Sequence, residues 1–271
     1  MFNSFLGSPA IVRALMESKK AELMASPLQR RLLKKFGFLI IRALGWPISV
    51  NSRLQARILC RFLAGQKGKM LDAGGSYGAF SFHFARLGWN VRVVDFDQDT
   101  LRVGRAIKEH LGVNTISFHY GNLMQTDFKD GEFDAILLCH VLEHIKEDVM
   151  TLRELHRVLR PGGILAIVLP YSQEDIEYDR PKYFININEE RAKAIGAYTD
   201  EGHWREGYSF ERLQSLLKRT GFTVEDRARI AYSTLLPNST YAFPITFLLS
   251  RFPLQIKNQL RCIAVKARRE S

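Results

Sequence analysis

The sequence predicts an α/β protein built on a doubly wound, mostly parallel sheet. Three observations carry this. From residue 68 onward, short apolar runs rich in Val and Ile alternate with helix-length segments, the rhythm of βαβ units. Glycines punctuate that alternation, with Gly88 and Gly112 closing two helical segments. The run FDAILLCH (133–140) is apolar almost throughout, as a strand covered on both faces must be.

Taken in order, residues 1–65 form a basic helical N-terminal extension, in which QRRLLKKFGFLIIRAL has the spacing of an amphipathic helix that Pro47 stops. KMLDA (69–73) is the first strand and leads into a helix through Leu87. WNVRVVDFD (89–97) is the second strand, DQDTLRVGRAIKEHLG (97–112) a helix, and NTISFHYGN (114–122) the third strand. After the fourth strand, 133–140, Glu143 and His144 are expected to begin the next helix. Asp148 is expected to cap a helix with Val149, Leu152, Leu155 and Leu159 on one face, which PGG (161–163) ends. GILAIVLP (163–170) is the fifth strand. Residues 171–207 lack a period; Ser209 then caps a helix carrying Phe210, Leu213 and Leu217, and Gly221 ends it. FTVEDRARI (222–230) and RCIAVKARR (261–269) complete seven strands, separated by an apolar, proline-containing insert at about 231–256.

Composition is that of an ordinary globular protein, 46% hydrophobic and 25% charged over 271 residues, enough chain for one large core. Three dispersed cysteines, Cys60, Cys139 and Cys262, form no CxxC pair, which excludes a disulfide framework or zinc knuckle and fits a reducing, cytoplasmic setting. Charge is uneven. Residues 1–69 carry 13 Lys/Arg against 2 Asp/Glu, residues 70–230 carry 20 against 25, and residues 231–271 carry 6 against 1. Basic ends around a mildly acidic middle point to an anionic partner such as a membrane surface, or to a solvated face with no specific role. No leader-like apolar region opens the sequence, and the apolar stretches 36–48 and 231–250 are too short or too proline-interrupted to span a bilayer, though either can lie on one.

Function is written at the strand ends, where such sheets bind ligands. LDAGGSYG (71–78) places Asp72 before a turn with Gly74, Gly75 and Gly78. Missing Cβ atoms let backbone approach a ligand, and the next helix offers free N–H groups. Asp95 closes the second strand about 20 residues on, where an acid takes hydrogen bonds from ribose hydroxyls. The G-x-G-x-x-G spacing of dinucleotide enzymes fails, because Gly74, Gly75 and Ser76 stand in its first three places. Asp72 would repel a pyrophosphate but suits a cationic amino-acid group.

With VVDFD, YGNL, FDAILLCHVLEHI and LRELHRVLRPGGILAIVLP following LDAGGSYG in order, residues 68–230 resemble the class I S-adenosylmethionine-dependent methyltransferases, specifically the small-molecule branch that includes ubiquinone and menaquinone methyltransferases. The resemblance implies a Rossmann-like seven-stranded sheet with its last strand antiparallel, and a methyltransferase domain over 66–271 with substrate-side insertions at about 171–207 and 231–256. It implies S-adenosylmethionine as cofactor, held by Asp72, Gly74, Gly75, Ser76 and Gly78 around the methionine part, Asp95 on the ribose, Phe96 on adenine or ribose, Asn122 and Leu123 near the adenine amino group, and Cys139 and His140 beside the sulfonium. Ser76 departs from the family's usual glycine, and Asn122 from its frequent acid.

HVLEH (140–144) also matches H-x-x-E-H, a zinc-peptidase signature. Zinc there needs a helix across these residues and a third ligand, whereas His140 directly follows a buried strand, so no metal is expected. His140, His144 and His203, the last in EGHWREGYS, are the candidate bases for an acceptor that must lose a proton. Tyr171, Tyr178 and Trp204 are candidates to wall the acceptor site. The expected acceptor is a small or lipid-linked molecule, reached from an anionic membrane surface. A nucleic-acid substrate is the weaker alternative, since no RNA-binding motif accompanies the basic charge, and a non-catalytic scaffold on the same fold is a third reading.

Overall fold

The computed structural model describes residues 50–182, 202–231 and 260–270, together with the isolated residues 16, 17, 27, 28, 31, 32 and 35. The helix expected to end at Pro47 and nearly all of the insert at 231–256 therefore lie outside the described residues. So do residues 183–201.

The sheet has seven strands in the order β3-β2-β1-β4-β5-β9-β8. These are β1 (Lys69–Ala73), β2 (Asn90–Asp95), β3 (Ile116–Tyr120), β4 (Phe133–Cys139), β5 (Leu159–Pro170), β8 (Phe222–Ala231) and β9 (Leu260–Arg269). β9 runs antiparallel to both neighbours, and β1 to β5 pair in parallel. A small second sheet pairs β6 (Glu177–Lys182) with β7 (His203–Arg205), so the irregular stretch after the fifth strand holds a hairpin-like element that periodicity did not reveal.

Alternation along the strands sends side chains to two cores. Met70, Val91, Val93, Ala135 and Leu137 face helices α1 (Val50–Phe62), α2 (Ser81–Arg86) and α3 (Gln98–Leu111). Leu71, Ala73, Val94, Ile136 and Leu138 face α4 (Asp148–Val158) and α5 (Phe210–Arg219). Helix α1, inside the stretch expected as an N-terminal extension, buries Leu59 and Phe62 in the first of these cores. Burying a leucine or phenylalanine contributes on the order of 2 kcal/mol, which fastens α1 to the sheet.

Gly112 and Ser209 end and start their helices as the sequence requires, and Asp97, expected within the helix, caps it instead. Asp97 accepts from the amides of Asp99 and Thr100 to start α3, and Gly112 ends it in the left-handed region. Ser209 accepts from the Arg212 amide at the start of α5.

Three expectations are corrected. Leu142–His144 forms a single 3-10 turn separated from α4, so Glu143 and His144 do not begin the next helix. Asp148 is the first residue of α4 without a capping bond, because Tyr208 Oη donates to its carboxylate at 3.2 Å and Arg205 stands 3.4 Å from it. Leu159 is in β5 instead of on the α4 face, and Pro161–Gly163 lie inside that strand at an irregularity where Gly162 takes φ +70°.

The chain leaves β1 toward β2 and β3 on one side, then returns to β4 on the other. The crevice at this reversal lies beyond the carboxyl ends of β1 and β4.

Candidate active site

On one side of the crevice stands the turn after β1. Gly74, Ser76 and Gly78 have φ of +71°, +52° and +83°. A Cβ on Gly74 would lie 2.4 Å from Val141 Cγ2, and one on Gly75 would lie 2.6 Å from the Asp72 carboxyl carbon. Glycine is thus required both for backbone conformation and for close approach. Ser76 adopts the left-handed conformation that glycine takes without strain. It is held there by its amide, which donates to Asp95 Oδ2 at 2.8 Å.

Asp72 is 2% exposed and accepts from Ser81 Oγ at 2.6 Å. Burial raises its pKa to about 6, against the Ser81 hydrogen bond and with help from the Asp95 charge. Such a carboxylate gains from a cationic partner. Asp95 accepts from the Ser76 amide through one oxygen and from the Asp97 amide at 2.9 Å through the other. Both oxygens are thus turned toward the backbone of the turn and of the β2 end. Phe96, which follows Asp95 directly, is 43% exposed. Leu123 is buried, while the exposed Asn122 turns its side-chain oxygen to the Met124 amide at 2.9 Å. That oxygen shapes its own turn and retains one free lone pair.

The other side is the end of β4. Cys139 is partly buried, and burial, with Asp72 and Glu143 nearby, raises its thiol well above the usual range, so it is no nucleophile. His140 takes φ +56°, with its amide held by the Val168 carbonyl at 2.8 Å. Its ring lies between Gln55 Nε2 at 2.8 Å and Glu143 Oε1 at 3.5 Å. Burial opposes charge on His140, but Cys262 and Glu143 outweigh it and push the pKa up to about 10. Both ring nitrogens of His140 thus face protein groups, Nε2 toward Gln55 and Nδ1 toward Glu143.

Glu143 is 1% exposed, and its Oε2 has no hydrogen-bond partner. Burial acts against its ionisation, yet His140 and His144 lower its pKa overall. His144 and His203 stack edge to face with ring centroids 4.4 Å apart. Burial lowers the His203 pKa, and His144 adds to the effect. Glu143, His144 and His203 each offer a ligand atom, and these atoms lie within 4.8 Å of one another.

What joins β7 to this corner is Arg205. Its guanidinium is nearly buried and donates to the carbonyls of Ile145 at 2.6 Å and Lys146 at 2.8 Å, and to Glu177 at 3.0 Å. Tyr208, fully buried, stands against Leu142 and Asp148 from the same segment. Trp204 lies beneath Lys146, its ring 5.2 Å from the ammonium.

The structure thus brings the predicted turn residues and Asp95 together, and gathers all three candidate histidines around Glu143. Sequence reasoning missed Gln55, Ser81, Glu143 as the centre of that group, and the Arg205 clamp. Only Arg205 had a signal, its place in EGHWREGYS.

A parallel sheet ending in one antiparallel strand, with a glycine turn and two buried acids at the β1/β2 ends, defines the class I S-adenosylmethionine-dependent methyltransferase fold. Residues 71–167 match the family model described as "Methyltransferase domain", and the chain carries that domain. The ubiquinone/menaquinone biosynthesis C-methyltransferase of Nitrobacter hamburgensis is 37% identical over 112 residues, covering 40% of this chain and 44% of that protein. The demethylmenaquinone methyltransferase of Staphylococcus saprophyticus is 29% identical over 138 residues, covering 48% and 58%. The chain spans about half the length of these relatives. Among solved structures, the Burkholderia thailandensis 1,6-didemethyltoxoflavin-N1-methyltransferase, crystallised with S-adenosylhomocysteine, has a TM-score of 0.55 at 20% identity, covering 91% of this chain and 92% of that one. The [4+2]-cyclase SpnF has a TM-score of 0.57 at 17% identity, covering 80% of each chain. Likeness at this level concerns the fold alone.

Proposed function

We propose that the chain is an S-adenosylmethionine-dependent methyltransferase acting on carbon or oxygen of a quinone-type or other small, lipid-linked acceptor. The observation that carries this is the paired arrangement of Asp72 and Asp95 around a turn whose residues 74, 76 and 78 all have positive φ.

The residues present fit the cofactor. The missing Cβ atoms at Gly74 and Gly75 bring backbone close, Asp72 is a buried acid that a cation would relieve, and Asp95 closes β2 where an acid meets ribose hydroxyls. Phe96 offers an exposed face to a base. When bound, S-adenosylmethionine supplies a methyl group on a sulfonium, which passes to the acceptor atom as that atom gives up its proton. The protein's part is to align the acceptor and exclude water. His140, held between Gln55 and Glu143, braces the β4 end. His144 and His203 face the acceptor side.

The acceptor class rests on the activities of the relatives, both quinone methyltransferases, and on the apolar insert and basic ends of the sequence. Among the described residues no helix is long and apolar enough to cross a membrane. The basic ends and the apolar insert support a cytoplasmic location, peripheral to an anionic membrane. Isothermal titration with S-adenosylmethionine and S-adenosylhomocysteine tests the activity; absence of binding to either would retire it. Sedimentation with anionic vesicles at low salt tests the location.

A further inference from the structure

We propose that Glu143, His144 and His203 form a binding site for a divalent transition-metal cation on the acceptor side of the crevice. The metal site stands on its own residues; its use in orienting an acceptor oxygen rests on the methyltransferase reading.

Two imidazoles and one carboxylate are the donor set that borderline cations such as zinc, cobalt, iron and manganese take, with positions left open. Ligand atoms about 2.1 Å from such a cation stand about 3 to 3.5 Å apart. The three donors here already lie within 4.8 Å of one another, so side-chain rotation suffices to close the set. The two segments that supply them cannot drift apart easily. Arg205, two residues after His203, donates to the carbonyls of Ile145 and Lys146 next to His144.

An unmet electrostatic need marks the place. Glu143 is 1% exposed, and its Oε2 lacks any donor, while Oε1 faces His140 Nδ1. His144 Nδ1 is also buried without a hydrogen-bond partner. Buried polar atoms are nearly always satisfied, and a lone carboxylate oxygen is among the costliest to leave bare. A cation satisfies both at once. His144 and His203 remain partly exposed, so an ion can enter and a further ligand can reach it. The H-x-x-E-H spacing therefore contributes differently from its peptidase use. With no helix across 140–144, His140 braces the acid, and His203 from β7 supplies the ligand that a helical pair would have needed. An acceptor hydroxyl placed on the open positions would lose its proton more readily, since a bound cation lowers the pKa of oxygen ligands.

The test uses the full, untagged chain, stripped with a chelator and titrated with cobalt(II). The site predicts a visible d–d absorption that saturates at a single equivalent. His203→Gln and His144→Gln should each weaken cobalt binding by at least about tenfold, and His110→Gln, an exposed control, should leave it unchanged. S-adenosylhomocysteine titration into each variant verifies that the crevice is folded, and should give the unmodified affinity. No absorption, or equal cobalt affinity in His203→Gln, overturns the proposal and leaves an ordered water as the bridge. Should cobalt bind while S-adenosylhomocysteine does not, the metal site stands and the methyltransferase reading falls.

Discussion

The two walls of the crevice are built by different means. The cofactor wall is local: residues 72–78 form one turn, and Asp95 arrives at the end of the adjacent strand through the β1–β2 register, in which Asp72 pairs with Val93. The acceptor wall is assembled from afar. Gln55 meets His140 across 85 positions, and Arg205 meets Ile145 across 60. The first wall spends its strain on backbone conformation, at Ser76 above all. The second depends on one buried guanidinium. Perturbing the first should therefore change ligand affinity with little change in folding, and perturbing the second should do the reverse.

The largest effect is expected at Arg205→Ala. Removal leaves the Ile145 and Lys146 carbonyls without their donor and the mostly buried Asp148 carboxylate without its cationic partner, with only the Tyr208 hydroxyl still donating to it. Breaking a buried pair from one side costs about 3 kcal/mol or more, read as a lower denaturant midpoint, with S-adenosylhomocysteine affinity nearly kept in the folded fraction. A loss under about 1 kcal/mol would show that the clamp holds little. Asp95→Ala is the converse. Two charge-assisted bonds to ribose, each about 1.5 kcal/mol, predict a loss of affinity of about 100-fold in calorimetric titration, with circular dichroism unchanged. Unaltered affinity would remove Asp95 from the pocket and with it the comparison.

This division also explains what could be read in advance. The glycine turn, Asp72, Asp95 and the helix ends at Gly112 and Ser209 depend on neighbours in sequence or on strand pairing that hydrophobic alternation dictates. Glu143 as the centre of the histidine group was hidden. Its role arises only when β7 docks on the 3-10 turn, and nothing within 140–148 foretells that Arg205 will arrive. Asp148 shows the same limit from the other direction. An acid at that place has the chemistry of a helix cap, but Tyr208 and Arg205 claimed its carboxylate. The β6–β7 pairing was missed for a related reason, since short strands with polar residues carry no clear period.

A smaller effect, confined to the cofactor wall, concerns acid. Asp72 carries a pKa raised to about 6, chiefly by burial, so the folded chain holds a proton here that the unfolded chain has released. Its contribution to stability is fully present below the ordinary carboxylate value and is lost as pH rises through about 6. Cofactor binding runs the other way, because the cationic amino-acid group favours the ionised form. Affinity for S-adenosylhomocysteine should fall by up to about tenfold per unit below pH 6, and Asp72→Asn should abolish that slope. A slope unchanged in the variant would assign the titration to another group.

The smallest effect tests whether the turn's strain is real and local. Ser76 at φ +52° sits where a side chain costs roughly 1 to 2 kcal/mol, partly offset by the extra freedom glycine gives the unfolded chain. Its amide, not its hydroxyl, makes the bond to Asp95, so Ser76→Gly preserves the contact that shapes the pocket. The variant should gain about 0.5 kcal/mol in unfolding free energy and bind S-adenosylhomocysteine as tightly as the parent. A destabilised variant would mean that the serine side chain holds the turn through its own contacts. Weaker binding with stability gained would mean that the hydroxyl reaches the cofactor, and the local wall would then owe its affinity to a side chain as well as to backbone.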